Sequence, residues 1–178
     1  MKWFAIILGC IAALVLLAVV IGVMLPQSHV AIRSARLHQP AGDVWKTITD
    51  VGSAGSWRND VVRIEMLPPR DGRIVWREVS KDGAMNYEGE AVRSPAPGMP
   101  GRFISRITDR TLPFGGEWIT DVSIVDGGTV VKITENGEVY NPLFRFVSKY
   151  VLGHASTIDG YLRALGQRYG ESVTPVDG

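Results

Sequence analysis

An uninterrupted apolar run at the amino terminus is the feature that most constrains this chain. Residues Trp3 to Leu25 contain no charged side chain, and 21 of these 23 positions are hydrophobic. As an α-helix that rises about 1.5 Å per residue, the run is about 34 Å long, which matches the roughly 30 Å hydrocarbon core of a bilayer. The sequence therefore predicts one transmembrane helix over residues 3–25, followed by a short linker over residues 26–28.

A cleaved signal peptide is the alternative for this run. Signal peptides have apolar regions of about 7 to 15 residues, followed by a small-x-small cleavage site. This run ends in Met24-Leu25-Pro26-Gln27-Ser28, which offers no such site, so an uncleaved single-pass membrane anchor is predicted. Basic residues flank the run on both sides, with Lys2 before it and Arg33 and Arg36 after it, so the positive-inside rule gives little preference for either orientation in the membrane. The tiny basic tail is typical of a signal anchor, which favours a soluble domain outside the cytoplasm.

The rest of the chain has the composition of one globular domain. Hydrophobic residues make up 46% of the whole chain, and the share outside the apolar run is normal for a globular protein, which excludes disorder. The 19 basic and 18 acidic residues leave no net field that attracts nucleic acid. The single cysteine, Cys10, excludes an internal disulfide and a thiolate zinc site. No cluster of ligating side chains at metal spacing appears, so neither a metal ion nor another cofactor is predicted.

Strand-like segments separated by tight-turn residues follow the linker. The short connections Pro69-Arg70-Asp71-Gly72, Lys81-Asp82-Gly83 and Asp126-Gly127-Gly128 contain glycine where a hairpin needs a positive φ angle. Since parallel strands would each need a crossover helix, the pattern predicts an antiparallel sheet in an α+β domain over residues 29–170, with a flexible tail over residues 171–178. Two short helices are predicted after the first strand. The seven predicted strands span residues 29–39, 61–67, 73–80, 86–93, 102–108, 117–125 and 129–140.

The last part of the domain predicts a long amphipathic helix. Asn141 is a suitable N-cap, and Pro142 is favoured at the first helical position. Apolar residues then recur at steps of three or four and form a stripe about 40 Å long that needs a covering sheet. Gly153 and Gly160 predict a close contact or a bend, whereas Arg145 falls off the stripe and is predicted to be a surface charge. The stripe consists of Leu143, Val147, Val151, His154, Ile158, Tyr161 and Leu165.

The order of these elements resembles the helix-grip fold of the START/birch-pollen-allergen (SRPBCC) superfamily, and more narrowly its bacterial polyketide cyclase/dehydrase-like members. The resemblance covers about residues 29–170. It implies a curved seven-stranded antiparallel sheet wrapped on the long C-terminal helix, with an apolar ligand between them, and the membrane anchor is a departure from it. The residues that carry it are Pro40-Ala41, Val44-Trp45, Ile48-Thr49-Asp50, Trp57, Glu117-Trp118, Glu135-Asn136-Gly137-Glu138, Asn141 to Phe146 and Ile158 to Leu162.

The predicted function is the binding of a hydrophobic small molecule or lipid between the sheet and the C-terminal helix. Two alternatives remain open: a polyketide cyclase-like enzyme with a cavity acid/base residue, and a partner-binding module whose cavity is filled. His154 and Glu135 are the candidate acid/base residues, because an imidazole on the stripe titrates near neutral pH and strand parity places Glu135 on the apolar face. A core histidine and a solvated strand end are the respective alternatives. The predicted ligand-binding residues are Trp57, Trp76, Trp118, Val151, His154, Ile158 and Tyr161.

Overall fold

The structure, a computed structural model, describes residues 2–81 and 83–178. Asp82, in one of the predicted turns, lies outside the described residues. All seven predicted strands are present, with ends within three residues of the predicted bounds. The helices and strands are α1 (Lys2–Met24), β1 (Ser28–Leu37), α2 (Ala41–Thr49), a 3-10 helix (Val51–Ser56), β2 (Val61–Arg70), β3 (Arg73–Ser80), β4 (Gly83–Arg93), β5 (Gly101–Ile107), β6 (Phe114–Val125), β7 (Gly128–Val139), α3 (Pro142–Val147), a π-helical turn (Ser148–Leu152), α4 (Ser156–Arg168) and β8 (Val176–Asp177).

One antiparallel sheet contains all the strands of the described residues, in the order β2-β3-β4-β5-β6-β7-β1-β8. The β2–β3 hairpin turns through Asp71 and Gly72, whose φ angles of 50° and 78° suit a two-residue type I′ turn. β2 forms one edge of the sheet, where Pro68 and Pro69 remove no interior ladder hydrogen bond. The predicted α+β helix-grip fold is confirmed. The two-residue strand β8, which the sequence did not predict, lies in the segment 171–178 and pairs with β1.

The inner face of the sheet and α4 enclose the core. Ile158, Leu162 and Leu165 recur at helical spacing on α4 and are fully buried, in one cluster with Val131 and Ile133 of β7. Burial of a side chain of this size contributes about 1.5 to 3 kcal/mol before the entropy of ordering it. These contacts hold α4 across β1 and β7.

The C-terminal helix is interrupted, at one of the glycines where a bend was expected. Asn141 caps α3 as predicted, because its side-chain oxygen accepts hydrogen bonds from the backbone N–H groups of Leu143 (2.9 Å) and Phe144 (3.3 Å). α3 continues into the π-helical turn, and then Gly153 adopts a positive φ of 76° with a ψ of 138°, a backbone conformation that favours glycine and ends the helix. The predicted 40 Å stripe is therefore divided: its first half lies beside α1 and its second half packs on the sheet.

The N-terminal helix α1 is long and apolar enough to cross a membrane, by length and composition. Most of its side chains are exposed, including Phe4, Leu14 and Val20. Near its C-terminal end it packs against α3, and Gly22 is buried in this contact. The helix is thus joined to the domain near its C-terminal end, and most of its length is exposed.

Candidate ligand-binding cavity

A cavity of about 550 Å³ lies between the inner face of the sheet and the segment from α3 to α4. Inward-facing side chains of β5, at alternate positions, form its floor with Phe103, Ser105 and Ile107. The helical side includes the 3-10 helix and residues 144–161. Phe144 and Leu152 are the large apolar lining residues with the greatest exposure, 49% and 65%, which locates the mouth of the cavity beside α3 and the π-helical turn.

Aromatic side chains make up much of the cavity wall. The rings of Trp57 and Trp118 both meet Tyr161 edge-on, at centroid distances of 5.4 and 5.6 Å. Trp76 on β3 stacks on Tyr87 of β4 at 5.3 Å. Burial raises the pKa of Tyr161 to about 12, so its phenol stays protonated at neutral pH. These rings give the wall a large apolar area.

A charged cluster lies in the same wall. The guanidinium of Arg58 donates to both carboxylate oxygens of Glu78 at 2.9 Å and to Asp60 at 2.6 Å. Burial alone would lower the pKa of Arg58, but the two carboxylates outweigh it and raise that pKa. The guanidinium carbon also lies over the ring of Tyr161, 5.6 Å from its centroid. Arg58 is therefore a permanent cation that is neutralised on one side and faces an aromatic ring on the other.

A second polar cluster joins the sheet to the segment before α4. The carboxylate of Glu135 on β7 accepts a hydrogen bond from Trp118 Nε1 at 2.7 Å and lies 3.1 Å from His29 Nε2. The imidazole of His29 stacks on that of His154, with ring centroids 3.9 Å apart. His154 Nδ1 in turn lies 3.0 Å from the hydroxyl of Ser148. The two imidazoles and the carboxylate can bind a polar group of a ligand, or move a proton to or from it.

We expect the stacked histidines to make the domain acid-sensitive. Burial, and then the charge on His29, lower the pKa of His154 below its ordinary 6.5, Lys149 acts in the same direction, and Glu135 acts against them. Below about pH 6.5 the unfolded chain takes up this proton before the folded chain does, so stability falls as the pH drops below about 6.5 and levels off once the pH is below the folded-state pKa. The melting temperature of the wild type should therefore fall more steeply from about pH 6.5 to pH 5 than that of His154→Gln.

A variant of the exposed histidine is the matched control for this pH dependence. His38 lies on the surface, where its ring pairs with Glu171. His38→Gln should keep the acid sensitivity that His154→Gln loses. Equal slopes of melting temperature against pH in the wild type and His154→Gln would contradict the assignment.

The structure brings six of the eight predicted site residues together at the cavity: Trp57, Trp76, Trp118, Glu135, His154 and Tyr161. The other two are not lining residues. Val151 is 67% exposed on the outside of the π-helical turn, where the helical repeat that placed it on the stripe no longer holds. Ile158 belongs to the fully buried core cluster under α4.

The prediction omitted three residues of the two polar clusters: Arg58, Glu78 and His29. The alternation of side chains along a strand could have placed two of them on the inner face. Glu78 shares a face with Trp76, and His29 shares a face with the buried Ala31 and Ala35. Arg58 has no comparable signal, because it lies in a loop after the 3-10 helix. Within residues 2–81 and 83–178, no three His, Cys, Asp or Glu side chains converge in a way that suits a metal ion.

Comparison with known proteins supports the fold and not a particular activity. No family model and no curated protein sequence matches the chain. Among solved structures, a STAR-related lipid transfer protein from Xanthomonas axonopodis matches with a TM-score of 0.55 and 16% identity, over 81% of this chain and 94% of that fragment. The START-like helix-grip fold is the fold of this chain. Truncated norcoclaurine synthase from Thalictrum flavum matches this START-like domain with a TM-score of 0.61 and 10% identity, over 81% of this chain and 94% of that one.

A third neighbour is described as a di-domain ARO/CYC protein, StfQ, from the steffimycin biosynthetic pathway. It matches with a TM-score of 0.55 and 14% identity over 81% of this chain, and the matched part is 52% of that longer protein. The START-like fold is thus shared by proteins described as lipid transfer proteins, synthases and cyclases. The chemistry of this chain has to come from its own cavity.

Proposed function

We propose that the domain binds one hydrophobic small molecule or single-chain lipid in the cavity, and that α1 anchors it to a membrane with the domain outside the cytoplasm. The observation that carries the proposal is the aromatic cavity with two charged clusters in its wall. Burial of apolar surface on Trp57, Trp76 and Trp118 would supply most of the affinity. His29, Glu135 and His154 would orient a polar end group.

The volume of the cavity limits the ligand. At about 550 Å³, the cavity falls within the range of about 300 to 1,000 Å³ for small-molecule sites. That space suits one acyl chain or a few fused rings, and it is too small for both acyl chains of a phospholipid. It also leaves the interior unfilled, which argues against a partner-binding module with a solid core. The lipid transfer and cyclase proteins among the structural neighbours agree with an apolar ligand.

Native mass spectrometry of the full chain, released from detergent micelles, tests this proposal. We expect one bound molecule per chain, lighter than a diacyl phospholipid, and a higher melting temperature when the recovered compound is added back. Chains that carry no small molecule, or only diacyl phospholipid of the kind that an apolar helix such as α1 would retain, would contradict the proposal.

The second candidate function is an enzyme that acts on a polyketide-like or aromatic substrate. The pairs His29–Glu135 and His154–Ser148 favour it, because each places a group that can accept a proton beside the aromatic wall. Incubation of the recovered compound with the wild type and with His154→Ala separates the two functions. A binding protein returns the compound unchanged in both cases, whereas an enzyme converts it in the wild type alone.

A further inference from the structure

Four large apolar side chains lie exposed within nine residues of the segment after β7. Phe144, Tyr150, Val151 and Leu152 expose 49%, 57%, 67% and 65% of their surfaces. Single exposed apolar residues are common, but a cluster of this size marks a surface that contacts something else. We call residues 142–152, which comprise α3 and the π-helical turn, the apolar segment.

The apolar segment is fixed to the end of α1 by Arg145. Its guanidinium donates to the backbone carbonyls of Gly22 (3.4 Å) and Leu25 (3.3 Å) at the C-terminal end of α1. It also donates to the carbonyls of Val139 (2.7 Å) and Tyr140 (3.0 Å) after β7. The surface charge predicted at Arg145 is thus a cap for a helix C-terminus, where a cation is favourable. It joins α1, the sheet and α3 at one point.

Gly22 allows α1 and α3 to approach closely. A methyl group added at Gly22 would overlap the backbone carbonyl of Pro142, and Gly22 is the buried residue of α1. By contrast, nothing lies within 4 Å of a methyl group added at Gly9, earlier in the same helix. The contact between α1 and α3 therefore depends on one glycine that has a matched counterpart in α1.

We propose that the apolar segment lies in the interface of the membrane that α1 crosses, and that the mouth of the cavity opens onto that membrane. The proposal rests on α1 as an anchor: because α3 is fixed to the last turn of α1, the bilayer surface at which α1 emerges meets the apolar segment. Phe144, Tyr150, Val151 and Leu152 then contact acyl chains, and Lys149, whose ammonium lies 5.5 Å from the ring centroid of Tyr150, faces the head groups.

This placement gives an apolar ligand a short path. Phe144 and Leu152 line the cavity and also belong to the exposed apolar segment. A ligand that enters between them leaves the acyl chains for the aromatic wall without crossing water. The polar cluster of His29, Glu135 and His154 lies next to the same segment through Ser148.

Depth measurements with spin labels on the full chain test the placement. With Cys10→Ser as background, nitroxides are attached to the single variants Val151→Cys, Leu14→Cys and Val62→Cys in vesicles of phosphatidylcholine and phosphatidylglycerol. The depth of each nitroxide in the membrane is measured by the ratio of its collision rate with oxygen to its collision rate with a water-soluble nickel complex. This ratio is higher for a label that lies deeper in the hydrocarbon core. We expect the Leu14 label in the hydrocarbon core, the Val151 label at the interface, and the label at Val62, an exposed residue of β2, in water.

Each other outcome overturns the proposal and identifies the step that failed. If the Val151 label is as accessible to the nickel complex as the Val62 label while the Leu14 label lies in the hydrocarbon core, the apolar segment does not lie in the membrane interface, although α1 remains an anchor. A Leu14 label in water rejects the anchor and the interface together. A Val151 label shielded from both reagents indicates contact with a second protein chain. Native mass spectrometry of the bound ligand remains an independent readout of the cavity in all three cases.

Gly22→Ala and Gly9→Ala are the matched pair for the contact between α1 and α3. Both exchange glycine for alanine inside the same helix, but only the first pushes α1 away from Pro142. We expect Gly22→Ala to shift the Val151 label toward the value of the Val62 label while the Leu14 label stays deep. Gly9→Ala should change neither label. An unchanged Val151 label in Gly22→Ala would show that this contact does not set the placement.

Discussion

Glu78→Ala should lower the free energy of unfolding by about 3 kcal/mol, because it leaves the Arg58 guanidinium in the cavity wall with one carboxylate instead of two. Glu78 is 7% exposed and accepts two hydrogen bonds of 2.9 Å from Arg58. Removing one partner of a buried pair costs about 3 to 5 kcal/mol, and the remaining contact with Asp60 places this case at the lower end. The melting temperature of the full chain in detergent should fall by roughly 6 to 12 °C. Near-ultraviolet circular dichroism measures this melting temperature.

Glu65→Ala is the control for this prediction. Glu65 pairs with Arg63 at 2.7 Å, but both side chains are exposed, and such pairs contribute less than about 1 kcal/mol. If Glu78→Ala does not fold, Glu78→Gln keeps the shape and should show a smaller loss of the same sign. A loss in Glu78→Ala no larger than that in Glu65→Ala would show that Arg58 does not depend on Glu78.

The charged cluster is not expected to stabilise the domain more than apolar side chains of similar size would. A buried ion pair replaced by apolar residues of similar size is often neutral or more stable. The double variant Arg58→Met/Glu78→Leu should therefore keep a melting temperature near that of the wild type. The wall of the cavity would then lose its only cation that faces Tyr161 among the described residues.

The sheet could be predicted from the sequence because its signals are local. Asp71-Gly72 specifies a hairpin through its own backbone preferences, and alternation along β7 places Glu135 on the same face as the buried Val131 and Ile133. The cavity wall at Trp118 and Glu135 follows from that parity, since the two residues are paired across β6 and β7. For such positions, the alternation of residues along the strand and the pairing of the strands both indicate the face of the sheet on which a side chain lies.

The helical side could not be predicted in the same way. Periodicity alone treated the stripe from Leu143 to Leu165 as one helix and therefore placed Val151 on the inner face. Gly153, with its positive φ angle, and the π-helical turn before it change the direction of the chain, so Val151 lies outside. The role of Arg145 was also missed, since two of its four carbonyl partners, those of Gly22 and Leu25, lie 123 and 120 residues away in the chain. No local pattern specifies a contact that far away in the chain.

Ser105→Trp should abolish most of the ligand binding by filling the cavity from its floor. Ser105 faces the cavity from β5, between Gly89 of β4 and Trp118 of β6. An indole at this position occupies the space of the ligand, and a clash of about 1 to 3 kcal/mol lowers affinity roughly 5-fold to 150-fold. Ile104→Trp is the matched control, since Ile104 is the adjacent residue of β5 and is not a lining residue.

Photo-crosslinking with a diazirine-bearing palmitic acid in lipid nanodiscs measures this effect on the full chain. The reagent should label α1 from the bilayer in every variant, which provides an internal reference. In the wild type and in Ile104→Trp, peptides that contain Trp76, Met85 or Phe103 should carry the label as well, and in Ser105→Trp their labelling relative to α1 should fall at least fivefold. Cavity peptides without label in the wild type, or labelled equally in wild type and Ser105→Trp, would contradict the claim that this cavity holds an apolar ligand.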